Sequence, residues 1–253
     1  DPKSHEAHFI LAHAYLAQSK KAIPTKKPEI ETQAIEEFRK SIDLNPKYKP
    51  AYDALFEIFT GNDNRHEARG IINDMISKFG KRSELYNDLC RLYAIDGFIE
   101  QAIDTCSEAI RISSRYDKNF IYLARSFSDQ GDKKKASKIL AQAAKRFPKS
   151  DFVQSAAGDF YQTEKNYPVA ERYYSNAVKI NPQSAVAHIG LAQSMVESQK
   201  YKEALPHFQQ ACKLDSQTRD KFQEGVGKAR LARNAEIDSL YSKAFYACST
   251  GSP

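Results

Sequence analysis

The stretch NFIYLARSFSDQGDKKKASKILAQAAKRFP, residues 119–148, carries the pattern that decides the fold. Phe120, Leu123, Ala124 and Phe127 stand at spacings of three, one and three, which is one face of an α-helix. Gly131 and Asp132 interrupt that face as a turn. Ala136, Leu140 and Ala143 form a second stripe, and Pro148 closes the unit because proline cannot continue a helix. Small residues at 124, 136 and 143 let two helix backbones approach closely. A single helical pair of this kind cannot bury its apolar faces alone, so it must be copied in series.

The copies are present. Ala34, Ala68, Ala102, Ala136, Ala170 and Ala204 stand 34 residues apart, each inside the same pattern. The second copy reads Tyr52, Leu55, Phe56 and Phe59, then Ala68, Ile72 and Met75; the third reads Tyr86, Leu89, Cys90 and Tyr93, then Ala102, Cys106 and Ala109. The fifth reads Gln154, Ala157, Gly158 and Tyr161, then Ala170, Tyr174 and Ala177; the sixth reads His188, Leu191, Ala192 and Met195, then Ala204, Phe208 and Ala211. The first copy, His8, Leu11, Ala12 and Tyr15 followed by Ala34, Phe38 and Ser41, carries about ten extra residues near Lys20–Glu29. Pro24 and Pro28 predict an ordered loop there. Pro168 and Pro206 fall near the starts of second helices, where a missing N–H costs little.

This pattern resembles the tetratricopeptide repeat family over roughly residues 4–216. The resemblance implies an all-α, right-handed α-solenoid of about six tandem helix-turn-helix repeats. After Ser216 the phase is lost, and 217–248 is expected to form capping helices. Phe222, Val226 and Ala229 make one stripe there, and Ile237, Leu240, Tyr241, Ala244 and Phe245 another. Residues 249–253 are expected to form a frayed tail. Asp1-Pro2 stands where a preceding unit would end, so 1–3 reads as its remnant.

Charged residues make up 28% of the 253 residues and no apolar run reaches the roughly 18 residues of a membrane span. Of the four cysteines, Cys90 and Cys106 occupy core slots, Cys212 lies on a second helix and Cys248 near the end; no CxxC or metal-ligand spacing occurs. A reducing, cytoplasmic setting is therefore expected, with a Cys90–Cys106 bridge left open. The histidines form no one-faced cluster at His5, His8 and His13, and His8 and His188 stand in aromatic core slots, with His66 and His207 on second helices. No metal site, cofactor or catalytic motif is expected.

The resemblance also implies a concave groove lined by first helices, which in the family holds peptides. The groove positions are Asp53 and Glu57, Asn87 and Arg91, Ile121 and Arg125, Ser155 and Asp159, and Ile189 and Gln193. Arg91 and Arg125 with Asn87 suit a carboxylate or another planar anion, because guanidinium donates in pairs. Tyr122 and Asp129 lie nearby in sequence. The clamp by which some members grip a chaperone's C-terminal carboxylate is not matched: Asp53, Glu57, Asp88, Lys118 and Tyr122 stand in its places from the second copy, and Asn87, Arg91, Tyr122, Phe152 and Ala156 from the third.

The leading expectation is a non-catalytic scaffold for a peptide or protein partner in that groove. Alternatives are a domain of a larger enzyme or regulator, and an oligomerising module whose state the sequence leaves unknown. A third is nucleic-acid binding through the outer basic stretch Lys133–Lys149, which holds seven cations and no acid within a net charge of +6. Its apolar slots are filled as in the other copies, so a solvated outer face is the simpler reading.

Overall fold

A computed structural model describes residues 3–231 and 235–250. Asp1 and Pro2, on which the expected remnant rests, and 251–253 of the expected tail lie outside the described residues, as does the side chain of Ala229. Helix continues to Thr250, where a frayed tail was expected from 249 onward.

Two compact units are present. The first ends at Arg115 and holds three helical hairpins: α1 (His5–Ser19) with α2 (Lys27–Leu44), α3 (Lys49–Gly61) with α4 (Arg65–Phe79), and α5 (Ser83–Ile95) with α6 (Ile99–Ile112). The second begins at Tyr116 and pairs α7 (Asp117–Asp129) with α8 (Lys133–Arg146), α9 (Asp151–Thr163) with α10 (Tyr167–Ile180), and α11 (Ala185–Glu197) with α12 (Tyr201–Leu214). A short 3₁₀ turn, Ser216–Thr218, leads to α13 (Arg219–Leu231) and α14 (Ala235–Thr250). Among the described residues there is no strand.

The turns repeat as faithfully as the helices. Asp63, Gly97, Gly131, Lys165 and Gln199, 34 residues apart, all adopt positive φ, between 56° and 93°. Directly after them, the N–H groups of Asn64, Phe98, Asp132, Asn166 and Lys200 donate to the carbonyls of Phe59, Tyr93, Phe127, Tyr161 and Met195 at 2.8–3.0 Å. This is the Schellman closure of a helix end. Glycine adopts that backbone freely at 97 and 131; the three other side chains do so at a cost of about 1–2 kcal/mol each. Second helices then start on Asn64 and Asp132, and first helices on Ser150 and Ser184, whose side chains accept from the backbone N–H three residues on. In the first hairpin the connection is shorter than expected. Only 20–26 lie outside helix, because α2 starts at Lys27 with Pro28 in its first turn, where no N–H is needed. Pro206, by contrast, lies inside α12 rather than at its start.

Each of the six phased alanines is fully buried. In the second unit Tyr174 of α10 passes between Gly158 of α9 and Gly190 of α11; a Cβ at 158 would stand 2.8 Å from its ring, and one at 190 would overlap it. Phe208 of α12 is seated in the same way against Gly225 of α13, stacked on Phe222 at 4.9 Å. Tyr241 of α14 completes this cluster and donates its hydroxyl to the Tyr201 carbonyl at 2.7 Å. Ion pairs run between neighbouring hairpins: Arg65 and Arg69 to Asp96, Lys133 to Glu164, and Lys200 to Glu171.

The expectation of unpaired cysteines is corrected. Cys90 on α5 and Cys106 on α6 are disulfide-bonded with Cα atoms 4.7 Å apart. Cys212 on α12 and Cys248 on α14 form a second bridge at 6.1 Å, tying the last two helices to the sixth hairpin. Cys106 falls on the face of α6 that meets α5, so two small apolar slots of one hairpin become one covalent link. Closing the 36-residue interval of the second bridge contributes about 4 kcal/mol in the chain-entropy picture.

His188 replaces an aromatic. Its Nε2 lies 3.1 Å from the Pro182 carbonyl, just as the Tyr52 hydroxyl reaches Pro46 at 3.1 Å. A carbonyl only accepts, so Nε2 carries the proton and Nδ1 is left facing His207 Nδ1 at 3.0 Å.

Two predictions arise from this packing. Gly190→Ala lowers unfolding stability by about 1–3 kcal/mol through overlap with Tyr174. Gly70→Ala, mid-helix with open space around it, raises stability by about 0.5–1 kcal/mol. Urea unfolding midpoints check both. His207, half-buried beside His188, takes up a proton less readily in the folded chain than its ordinary value of 6.5 allows. The unfolded chain therefore binds more protons as the pH falls through that value. The contribution of His207 is complete above it and is lost below, until the folded form protonates too. His207→Tyr, the residue at the same place in the preceding hairpin (Tyr173), removes this part of the pH dependence, measured as the wild-type-minus-variant midpoint between about pH 5 and 8.

Candidate functional site

In the second unit the first helices touch one another in series, α7 with α9, α9 with α11 and α11 with α13. Tyr122, Arg125 and Asp129 on α7, Asp159 on α9 and Gln193 on α11 share that layer. Arg125, Asp129 and Asp159 are exposed, Tyr122 and Gln193 half-buried. Ser155, expected on the same face, is buried instead.

The expected residues that the structure joins are Arg125 and Asp159, and it adds two that sequence reasoning missed. The Tyr174 hydroxyl, threaded between the two glycines, emerges 2.6 Å from Asp159 Oδ1 and 2.8 Å from the Gln162 side-chain oxygen. One hydroxyl proton serves one acceptor. It goes to the carboxylate, and the Gln162 amide is best turned so that its NH₂ donates to the phenol oxygen. Although Asp159 as a residue is exposed, its carboxyl end is packed against the Tyr174 hydroxyl, and this local desolvation raises it above its ordinary range, against the pull of the Tyr174 hydrogen bond and the Arg125 charge. Burial likewise pushes the Tyr174 phenol up, reinforced by the Asp159 charge and hydrogen bond. Tyr174 stands in an apolar slot of the repeat, so its sequence position reads as core. The signal that it does more is Gly158 and Gly190, one on each neighbouring helix.

In the first unit, Asp53 and Glu57 lie on α3, and Asn87 and Arg91 on α5. Asp53 is held by Lys49 on its own helix at 2.6 Å. Arg91 reaches Asp88, also on its own helix, at 3.5 Å. Burial raises the Asp88 carboxyl, opposed by the Arg91 charge and hydrogen bond. Among the described residues no three histidine, cysteine or acidic side chains gather as a metal site, and no helix is long and apolar enough to cross a membrane.

Removing either group that favours the charged carboxylate moves Asp159 further up. In Tyr174→Phe its titration midpoint rises, and in Arg125→Gln it rises by less, as read from side-chain carboxyl NMR shifts. An unchanged or lowered midpoint in Tyr174→Phe contradicts the assignment of the hydroxyl proton to Asp159.

Comparison with known proteins returns the same repeat. Two tetratricopeptide repeat models match, one over residues 119–150 and one over 155–218. No curated protein matches. Among solved structures, Pseudomonas aeruginosa pilF is similar over 76% of this chain and 89% of its own, at 14% identity and a TM-score of 0.61. YrrB, described as a TPR protein with an unusual peptide-binding site, matches over 72% and 94%, at 15% identity and 0.51. MamA from Desulfovibrio magneticus RS-1 matches over 66% and 93%, at 16% identity and 0.54. The two matched stretches, 119–150 and 155–218, are tetratricopeptide repeats, and the phased hairpins with their common turn carry the same pattern along the chain.

Proposed function

We propose that the chain is a non-catalytic interaction scaffold that holds a peptide or protein segment on the first helices of its hairpins. The observation that carries this is the polar cluster of Arg125, Asp159, Gln162 and Tyr174. Here an acid with a raised titration point is held in place by a phenol on a rigid part of the fold, open to solvent on the first-helix side. Groups whose titration is shifted by desolvation beside a specific charged partner are candidates for binding sites. A site that presents an acceptor beside a guanidinium suits a peptide main chain or a mixed pair of charged side chains. Asn87, Arg91, Tyr122, Asp129, Gln193, Asp53 and Glu57 are the further contact residues of this reading. The name given to YrrB, a repeat protein of similar fold with a peptide-binding site, supports it by analogy.

The two disulfides bear on where the chain works. Buried structural bridges persist in oxidising compartments and are rare in reducing cytosol, so we place the chain in an oxidising compartment rather than the cytoplasm expected from the sequence.

The test is capture from native extract at physiological salt, wild type against Arg91→Glu/Arg125→Glu. Expected is a partner held by wild type and lost with the double variant, with the melting temperature changed by no more than about 2 °C, since Arg125 is exposed and Arg91, half-buried, makes only a long same-helix pair with Asp88. Equal capture by both proteins removes this face as the binding site.

A further inference from the structure

The outer wall of the second unit contains a cleft that the first-helix layer does not explain. It has a volume of about 480 Å³ and is lined by Ala144 of α8, Pro148, Gln154 of α9, and Arg172, Tyr173, Asn176, Lys179 and Ile180 of α10. No acid lines it. Arg172 and Lys179 are exposed, and neither has a carboxylate partner among the described residues. The one acid of α10, Glu171, is taken by Lys200 at 2.6 Å. The neighbouring α8 carries Lys134, Lys138 and Lys145 and no acid at all. The walls between these cations are carbon: Ala144, Pro148, Ile180 and the Tyr173 ring.

We propose that this cleft is a docking site for an extended acidic peptide segment with two carboxylates three residues apart. Arg172 and Lys179 stand seven residues apart on one helix, which is roughly 10.5 Å along its axis at 1.5 Å per residue. A peptide in the extended polyproline II conformation rises about 3.1 Å per residue and returns to the same face every third residue, so two carboxylates three residues apart stand about 9 Å apart on one side. Asn176 lies between the two cations and meets the peptide backbone with its amide. Arg172 grips one carboxylate through paired donors, and Lys179 meets the other as a point charge. Gln154 lines the cleft at 5% exposure, and its Oε1 accepts no hydrogen bond within the fold. Rotation about its last, soft torsion brings that oxygen to a peptide N–H entering the cleft.

The chemistry favours a peptide over a nucleic acid. Tyr173 is already stacked on Tyr161, ring centres 5.5 Å apart and planes at 6°, and the Arg172 guanidinium lies 5.3 Å from its ring. It offers no open face on which a base can stack.

The experiment measures fluorescence anisotropy of a labelled peptide Gly-Glu-Pro-Pro-Glu-Gly, whose prolines favour the polyproline II conformation, on the full chain, beside the same peptide with glutamine for glutamate and a single-stranded oligothymidylate. Expected is binding of the glutamate peptide that weakens with salt and falls at least about tenfold with glutamine, the loss of a charge-assisted hydrogen bond. It falls as far in Arg172→Glu/Lys179→Glu, whose melting curve stays that of wild type because both side chains are exposed. Ala144→Tyr, which fills the cleft without changing charge, also weakens it. Arg125→Glu leaves it unchanged, which separates this site from the first-helix face. Undiminished binding in Arg172→Glu/Lys179→Glu or in Ala144→Tyr overturns the proposal. So does absence of binding by the glutamate peptide, or tighter binding of the oligothymidylate.

Discussion

The distance between paired helices is set by alanines that have no exposed surface. At each of the six phased positions a second helix carries only a methyl group, and that group is fully buried. Larger side chains there would force the backbones apart and leave voids that the neighbouring hairpin could not fill. The aromatic slots answer this close approach. Because the backbones lie so near, Tyr174 and Phe208 must run between helices rather than stop at their surface, and glycine at 158, 190 and 225 gives them room.

That constraint produces the polar cluster as a by-product of packing. A tyrosine long enough to cross the helix layer delivers a hydroxyl on its far side. Asp159 and Gln162, one turn apart on α9, meet it there. A phenol clamped by two neighbouring helices holds its partners more rigidly than a loop would, which is what a recognition surface needs. The same crossing made by Phe208 delivers no polar atom, and the sixth hairpin instead binds α13 and α14 through stacked rings and a disulfide.

The two faces of the second unit thus differ in kind. The first-helix layer carries charges of both signs, with the Arg125 charge acting on Asp159. At the outer cleft Arg172 and Lys179 have no carboxylate partner among the described residues and flank walls of carbon. Surface ion pairs such as Lys133–Glu164 contribute little to stability on their own. Cations left without partners matter more for what they attract than for what they hold.

The repeat period, the helical stripes and the glycine-marked turns were legible because each depends on local spacing: 34 residues between alanines, three or four between stripe residues, and a glycine two residues past the helix end at Gly97 and Gly131. Contacts across hairpins were not. Cys90 and Cys106 were legible as neighbours, but Cys212 meets Cys248 only because α14 folds back over α12. His188 and His207 were readable singly as core and outer-helix residues, and the tertiary structure decided that their nitrogens meet. Asp159 was named from its place on a first helix, whereas Tyr174 and Gln162 joined it through a crossing that spacing along one chain does not encode. Sequence determined which faces must be buried, because apolar periodicity follows from helix geometry. Tertiary structure decided which polar atoms share a site, because that depends on where long side chains end after they have passed between helices.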